Sequence, residues 1–548
     1  MIRCSRSLCL LAVGLSPAIA QVTYQDLLKA APHNWLTYSG SFSSQRHSLL
    51  KQIRQSNVQA LVPTWIFHVP KADHLESVPI VVDGVMYLTQ PNEVYALDGR
   101  TGRVIWQYRH QPPLGKGPNR GVAVYGNRVY FTTPDAYLVS LDARTGNFLW
   151  QSKIAEFKDG FWSPAAPLML NGKIIAGVAP GDYGMNGFLA AYDASTGERL
   201  WRWDAIPKPG EPGSETWADD SWKSGGGDTW LTGSFDPELN LVYWGIGNPA
   251  PDFNGELRKG DNLYTECMVA LDADTGRLKW YFQFTPHDTA DWDAVEIPVL
   301  VDAPFQGKMR KLLVQADRNG FYYVLDRTNG KFLHGAPFVQ SVNWAKGLTP
   351  AGRPILAPGV EPTLKGTKIC PSTSGATNWM SPAYNPDTGL YYVAALEGCG
   401  INTKSQEKFR PGGFPFYATG YVESPAEPRQ LYIRALDLTT GKLAWEFKQI
   451  GSTEYGAGLL STAGGLIFAG CDQGIFTALD AKTGRPLWHF NTGQAITASP
   501  ITYSFKGRQY VAVEAGSNVL AFALLDEAKS AGRAKDKTGL DDPHVLRQ

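Results

Sequence analysis

One short string recurs along this chain and narrows its possible folds more than any other feature. An apolar residue precedes Asp, two variable residues, Thr-Gly, three further residues and then Trp. Copies stand at Asp98…Thr101-Gly102…Trp106 and Asp142…Thr145-Gly146…Trp150, and again at Asp193…Trp201, Asp272…Trp280, Asp437…Trp445 and Asp480…Trp488. Asp326…Asn329-Gly330…His334 is a degenerate copy. The Asp carboxylate suits the amides of a tight turn, Gly supplies a positive φ, and Trp offers a large face to a neighbouring unit. The implied unit is strand, turn, strand. Successive Asp residues lie 44, 51, 79, 54, 111 and 43 residues apart, and the short intervals suit one four-stranded blade of a β-propeller. Periodicity alone allows seven or eight blades. Seven copies are visible, and a blade hidden in the 111-residue interval would make eight.

Between the copies the chain reads as strands. Residues 78–88 and 128–133 are β-branched or aromatic and are bounded by Gly or Asn. No long amphipathic helix stands out. Thr64-Trp-Ile-Phe-His68 is placed to complete a blade begun near Tyr510-Val-Ala-Val513, closing the ring with a strand from the other end of the chain. A length of 548 residues would ordinarily mean several domains. Here one array fills residues 21–525, and residues 526–548 form a charged tail.

The first residues read as an export signal. Arg3 and Arg6 precede the apolar run from Leu8 to Leu15, and Ala18-Ile-Ala20 gives a cleavage site before Gln21. The predicted location is the periplasm. No later stretch reaches the roughly 18 apolar residues of a membrane span. Lys plus Arg and Asp plus Glu balance at 51 each, which leaves no basic field for nucleic acid. Cys4 and Cys9 leave with the signal, and Cys267, Cys370, Cys399 and Cys471 remain. They form neither a CxxC pair nor a CxxCH haem-attachment site, and an oxidising compartment permits a disulfide.

Strings that carry chemistry lie between the repeats. In order they are Asn119-Arg120-Gly121, Gly225-Gly-Gly-Asp-Thr-Trp230, Tyr243-Trp-Gly-Ile-Gly-Asn248-Pro-Ala-Pro251, Thr285-Pro-His-Asp288, Asp317-Arg318-Asn-Gly-Phe321 and Ile369-Cys370-Pro…Asn378. Their order and spacing resemble the pyrroloquinoline quinone (PQQ) dependent alcohol dehydrogenases across residues 22–525. The resemblance implies an all-β fold, an eight-bladed β-propeller with the tryptophan-docking repeats of quinoproteins. It also implies oxidation of a small alcohol by hydride transfer to metal-bound PQQ. Asp291 would be the general base and Arg318 would bond the reacting quinone oxygen. Trp230 would be the floor under the quinone, Arg120 the partner of a PQQ carboxylate, and Asn378 a further cofactor contact. Asp182, Asn248, Asp291 and Asp293 would hold the metal. These hard oxygen donors suit calcium or a lanthanide and not zinc or copper. In the family a second Asp two positions after the base marks lanthanide enzymes, so Asp293 favours a lanthanide. A Cys370–Cys399 disulfide and a soluble cytochrome c acceptor are further family expectations, with Cys267 and Cys471 left reduced.

Several positions depart from the family pattern. Asp182 stands where the family has a metal-binding Glu, and Leu114-Gly115 replaces vicinal cysteines that roof the cofactor. Pro164 and Ala179 replace hydroxyl side chains, and Tyr455 replaces a Trp. Two readings follow. One is a periplasmic PQQ dehydrogenase, favoured by Asn248, Arg318 and the Asp291/Asp293 pair. The other is a non-catalytic propeller, a binding or scaffold protein, favoured by Pro164, Ala179 and Leu114.

Overall fold

The recurring turns form as their residues require. Asp142 Oδ1 accepts from the Thr145 amide and hydroxyl at 2.9 and 2.8 Å, and Gly146 follows with φ +71°. A Cβ on Gly146 would stand 2.6 Å from Trp106, which belongs to the preceding unit. The same contact seats Trp65 on Gly102, Trp150 on Gly197, Trp201 on Gly276, Trp280 on Gly330 and Trp445 on Gly484. Each Trp therefore docks on the next blade's turn, where only Gly leaves room for it. The Trp106 and Trp445 indoles also donate to Ala143 and Ala481 carbonyls of those turns, at 3.0 and 3.1 Å. At the degenerate copy, Tyr322 packs on Gly441 instead, and His334 Nε2 lies 2.8 Å from the Thr440 carbonyl.

The computed structural model describes residues 21–525, apart from residue 116 and residues 452–455. The expected signal (1–20), the charged tail (526–548) and Tyr455 lie outside the described residues. Those described form eight antiparallel four-stranded sheets, one of which gains a fifth strand, His47–Ser48. Blades 1 to 7 occupy residues 80–109, 123–153, 168–204, 234–283, 299–337, 383–448 and 460–491. Blade 8 takes residues 501–524 and borrows Leu61–His68 as its outer strand, in register from Leu61↔Leu524 to His68↔Asn518. Trp488 of blade 7 donates to the Leu61 carbonyl at 3.1 Å, and Trp65 of blade 8 seats on blade 1. The ring is closed.

The count of eight holds and the ends of the chain close the ring as expected, but the blade expected inside the 111-residue interval is not there. The 111-residue interval holds no complete extra blade. It carries a hairpin, Ala345–Leu348 with Pro354–Leu356, and a three-stranded sheet of Thr367–Ile369, Gly400–Lys404 and Thr419–Glu423. The blade without a visible repeat is blade 8, whose outer strand comes from the start of the chain.

Strand order now decides where chemistry can sit. With four antiparallel strands per blade, the loops from second to third strand and the connections between blades emerge at one end of the ring. The Thr-Gly turns emerge at the other. All the long insertions fall at the first end, and one covalent bond ties two of them together. Cys370, between blades 5 and 6, is disulfide-bonded to Cys399, within blade 6, across 29 residues. Cys267 and Cys471 are free and buried, as expected. Replacing both Cys370 and Cys399 with Ser should lower stability by about 3–4 kcal/mol, the chain-entropy value for a loop of this size. Denaturant unfolding of the oxidised protein against the double variant checks it.

Candidate active site

The insertion-bearing end gathers the expected residues. Arg120 enters blade 2, Trp230 joins blades 3 and 4, Asp291 and Asp293 join blades 4 and 5, and Asn378 joins blades 5 and 6. Asp182, Asn248 and Arg318 occupy the second-to-third-strand loops of blades 3, 4 and 5.

Asp291 is held in an unusual backbone. The Asp288 carboxylate accepts the amides of Ala290, Asp291 and Trp292 at 3.1, 2.8 and 3.2 Å. Arg318 Nη2 donates to the Asp291 carbonyl at 2.6 Å. Together they keep Asp291 at φ +60°, a left-handed geometry of the kind that clusters at functional sites. Trp292 turns into the core and donates to Ser372 at 2.9 Å. Asp291 is half-buried between two buried neighbours.

Asp293 points inward. Its Oδ1 accepts the Asn248 amide at 2.9 Å, and its Oδ2 accepts Trp230 Nε1 at 3.1 Å and Arg318 Nη1 at 2.8 Å. Asn248 in turn donates its Nδ2 to Asp252 at 2.9 Å, which turns its amide oxygen away from Asp252. Asp182, Asp228, Asp252, Asp291 and Asp293 thus crowd one region. Burial, and then the Asp293 charge, push the Asp182 carboxyl up to about 6. Burial pushes Asp291 well above the usual carboxylate range; Arg318 pulls against it, while Asp293 and Asp182 add to it. Asp252 is raised by burial and by Asp291 and Asp182. Such a crowd is stable only when protons or a cation neutralise it. Among the described residues no three His, Cys, Asp or Glu side chains close into a finished metal cage. The donor set needs the Asn248 amide oxygen and an oxygen-rich ligand to complete it.

Arg120 shows what else the site suits. It is buried and donates Nη2 to Glu76 at 2.9 Å, with its guanidinium 4.8 Å from the Trp230 ring centre and 5.8 Å from that of Trp379. Its Nε and Nη1 have no protein partner. Two buried N–H groups beside indole faces fit a flat, polycarboxylate ring system, and the carboxylates beyond fit a cation bound with it. These residues fit PQQ and a hard metal ion.

A family model, the PQQ glucose/ethanol/alcohol dehydrogenase β-propeller domain, matches residues 35–338 and 448–511. The chain belongs to the PQQ-dependent alcohol dehydrogenases. It is 40% identical to the quinoprotein alcohol dehydrogenase PedH of Pseudomonas putida, over 93% of this chain and 91% of that one. It is 36% identical to the quinohemoprotein alcohol dehydrogenase ADH IIB of the same species, over 97% of this chain and 79% of that one. The quinohemoprotein alcohol dehydrogenase of Comamonas testosteroni superposes with a TM-score of 0.86 at 34% identity, covering 91% of this chain and 82% of the other. A europium-containing methanol dehydrogenase superposes with a TM-score of 0.85 at 32% identity, covering 91% and 100%.

The two positions where the family has hydroxyl side chains offer no replacement hydroxyl. The Pro164 carbonyl accepts the Arg120 amide at 3.0 Å, and the Ala179 amide donates to the Trp162 carbonyl at 2.9 Å, so these backbone groups are spent within the protein. Leu114 faces solvent at 43% exposure. Asn378 is buried, and its amide is spent on its own loop, on Ser374 and the Trp379 amide at 3.1 and 2.9 Å. Sequence reasoning passed over Glu76, Asp228 and Asp252. Asp228 lay inside a string already singled out, between Gly227 and Thr229. Asp252 follows Asn248 by four residues, and Glu76 had no local signal.

Proposed function

We propose that this protein is a periplasmic quinoprotein dehydrogenase that oxidises an alcohol or a related small hydroxyl compound, with PQQ and a lanthanide as resident cofactors. Asp291 carries the reading. Its carboxyl is presented on a strained turn beside the other carboxylates, placed to accept a hydroxyl proton once a cation offsets their charge. Asp182, Asn248, Asp291 and Asp293 would hold the cation, Trp230 would lie under the quinone, and Arg120 would meet a cofactor carboxylate. Bound PQQ supplies the electron acceptor and the cation a Lewis acid.

Arg318 does two things at once. It pins Asp293 and the Asp291 carbonyl, so its charge reaches the place where a reacting oxygen would gain negative charge. The segment between Gly400–Lys404 and Thr419–Glu423 roofs the opening. The Phe416 amide donates to the Asp182 carbonyl at 2.7 Å, and Tyr417 stands near enough to feel the charges of Asp182, Asp252 and Asp291. The Tyr417 ring would give the substrate's carbon an apolar wall on this side.

The export signal supports the periplasm, and no helix among the described residues is long and apolar enough to cross a membrane. The names of the quinohemoprotein relatives support a haem protein, such as a soluble cytochrome c, as electron acceptor. The alternative of a binding propeller without chemistry is disfavoured by the inward-facing Asp293–Arg318 pair and the strained Asp291. Purified protein given PQQ with La³⁺ should reduce an artificial dye when supplied with a panel of alcohols. No dye reduction with any alcohol, with La³⁺ or Ca²⁺, would overturn the proposal.

A further inference from the structure

The loops that carry Asp182 and Asn248 are joined by one buried residue, Asp228. Its Oδ1 accepts the Gly181 amide at 2.5 Å, and its carbonyl accepts the Gly247 amide at 2.8 Å. Gly181 immediately precedes Asp182, and Gly247 immediately precedes Asn248. Both glycines make room for carboxylates. A Cβ on Gly181 would stand 2.9 Å from the Asp228 carboxyl atoms. One on Gly247 would stand 2.3 Å from Asp293 Oδ1 and 3.1 Å from Asp228 Cβ. Asp228 is only 6% exposed, and the charges that face it are Asp182, Asp293 and Asp291, all carboxylates. A carboxylate buried among three others has only positive charge to gain.

We propose that Asp228 sets the cation selectivity of this site, supplying a further negative charge that compensates for the short reach of Asp182 and favours a trivalent over a divalent ion. This rests on the metal-and-PQQ reading above. Coulomb attraction grows with the product of the charges, so one added carboxylate gains half as much again with a trivalent ion as with a divalent one. The hydrogen bond to Gly181 and the main-chain bond to Gly247 hold that charge between the two ligand loops. Asp228 acts on the ion through its charge and through the loops that it positions.

The test measures La³⁺ and Ca²⁺ binding by equilibrium dialysis on PQQ-loaded protein freed of cations, together with thermal unfolding of the cation-free form. Asp228→Asn keeps an oxygen for the Gly181 amide and removes the charge. It should weaken La³⁺ binding by about tenfold or more, weaken Ca²⁺ binding less, and leave the cation-free protein at least as stable as wild type. Asp228→Glu keeps the charge and disturbs the hydrogen bond, and should hold the La³⁺/Ca²⁺ ratio near the wild-type value. An unchanged ratio in Asp228→Asn, an Asn variant less stable than wild type, or a Glu variant that loses the preference as Asn does, each overturns the proposal. Wild-type protein that takes up neither cation overturns the metal reading itself, and this inference with it.

Discussion

Asp291→Asn should yield a folded protein that still takes up PQQ and turns over alcohol about 10²- to 10⁴-fold more slowly, the range for losing a general base. The amide has nearly the shape of the carboxyl, and Asn tolerates the left-handed backbone at φ +60°. Nothing that holds the turn is removed. The bonds come from the Asp288 carboxylate to three amides and from Arg318 to the Asp291 carbonyl. What disappears is a proton acceptor, together with one charge from the carboxylate crowd. PQQ uptake, read from the cofactor's absorbance, should therefore persist while dye reduction collapses. Near-wild-type dye reduction by a PQQ-loaded Asn variant would remove Asp291 from the chemistry.

How much of this was legible in the sequence depends on the distance between the partners. The turn chemistry was fully local. Asp, Thr and Gly within five residues dictate the hairpin, and the Trp four residues later had to find a face somewhere. That the face belongs to the next blade's glycine follows only when the ring is built, because Trp106 and Gly146 lie in different blades. Blade 8 was legible as a closing pair, Thr64–His68 with Tyr510–Val513, but was not counted as the blade without a repeat, for a related reason. Its sheet carries no Asp–Thr-Gly copy, and its outer strand lies far from the other three in sequence, with Trp65 as the one trace of the repeat. The 111-residue interval misled because insertions and blades look alike when both are short strands separated by Gly and Pro.

The site divides in the same way. Trp230, Asn248, Asp291 and Arg318 sit in strings whose order survives in the sequence, so each could be named before any fold was known. Glu76 could not, because it lies on the connection into blade 1 and reaches Arg120, on the connection into blade 2, only when those blades pack side by side. Asp228 was visible as a residue but not as a partner of Gly181, which lies across a blade. Charges that matter by proximity are set by how neighbouring blades and their connections pack, and a linear reading has no access to that.

Asp293→Ala should have the largest effect on the metal, lowering La³⁺ affinity on the order of a hundredfold or more, because affinity at oxygen-donor sites follows the count of charged ligands. With Asp182 and Asp291, Asp293 would bring a third carboxylate to the ion, and their mutual repulsion would be best offset by a trivalent charge. The Ala variant also takes from Arg318 its ion-pair partner, since Nη1 bonds Asp293 at 2.8 Å with both side chains largely buried. Breaking a buried pair by removing one partner costs about 3–5 kcal/mol, so weak binding by the Ala variant alone would confound charge with stability. Asp293→Asn separates them. It can keep an oxygen toward Arg318 and Trp230, giving up the contact with the Asn248 amide, and it removes the charge. The Asn variant should unfold later than the Ala variant yet still bind La³⁺ far more weakly than wild type, with Ca²⁺ binding reduced less. Dialysis of both cations against PQQ-loaded wild type and the two variants reads this directly. An Ala variant that keeps its La³⁺ affinity, or a wild-type protein at least as active with Ca²⁺ as with La³⁺, would overturn the lanthanide assignment.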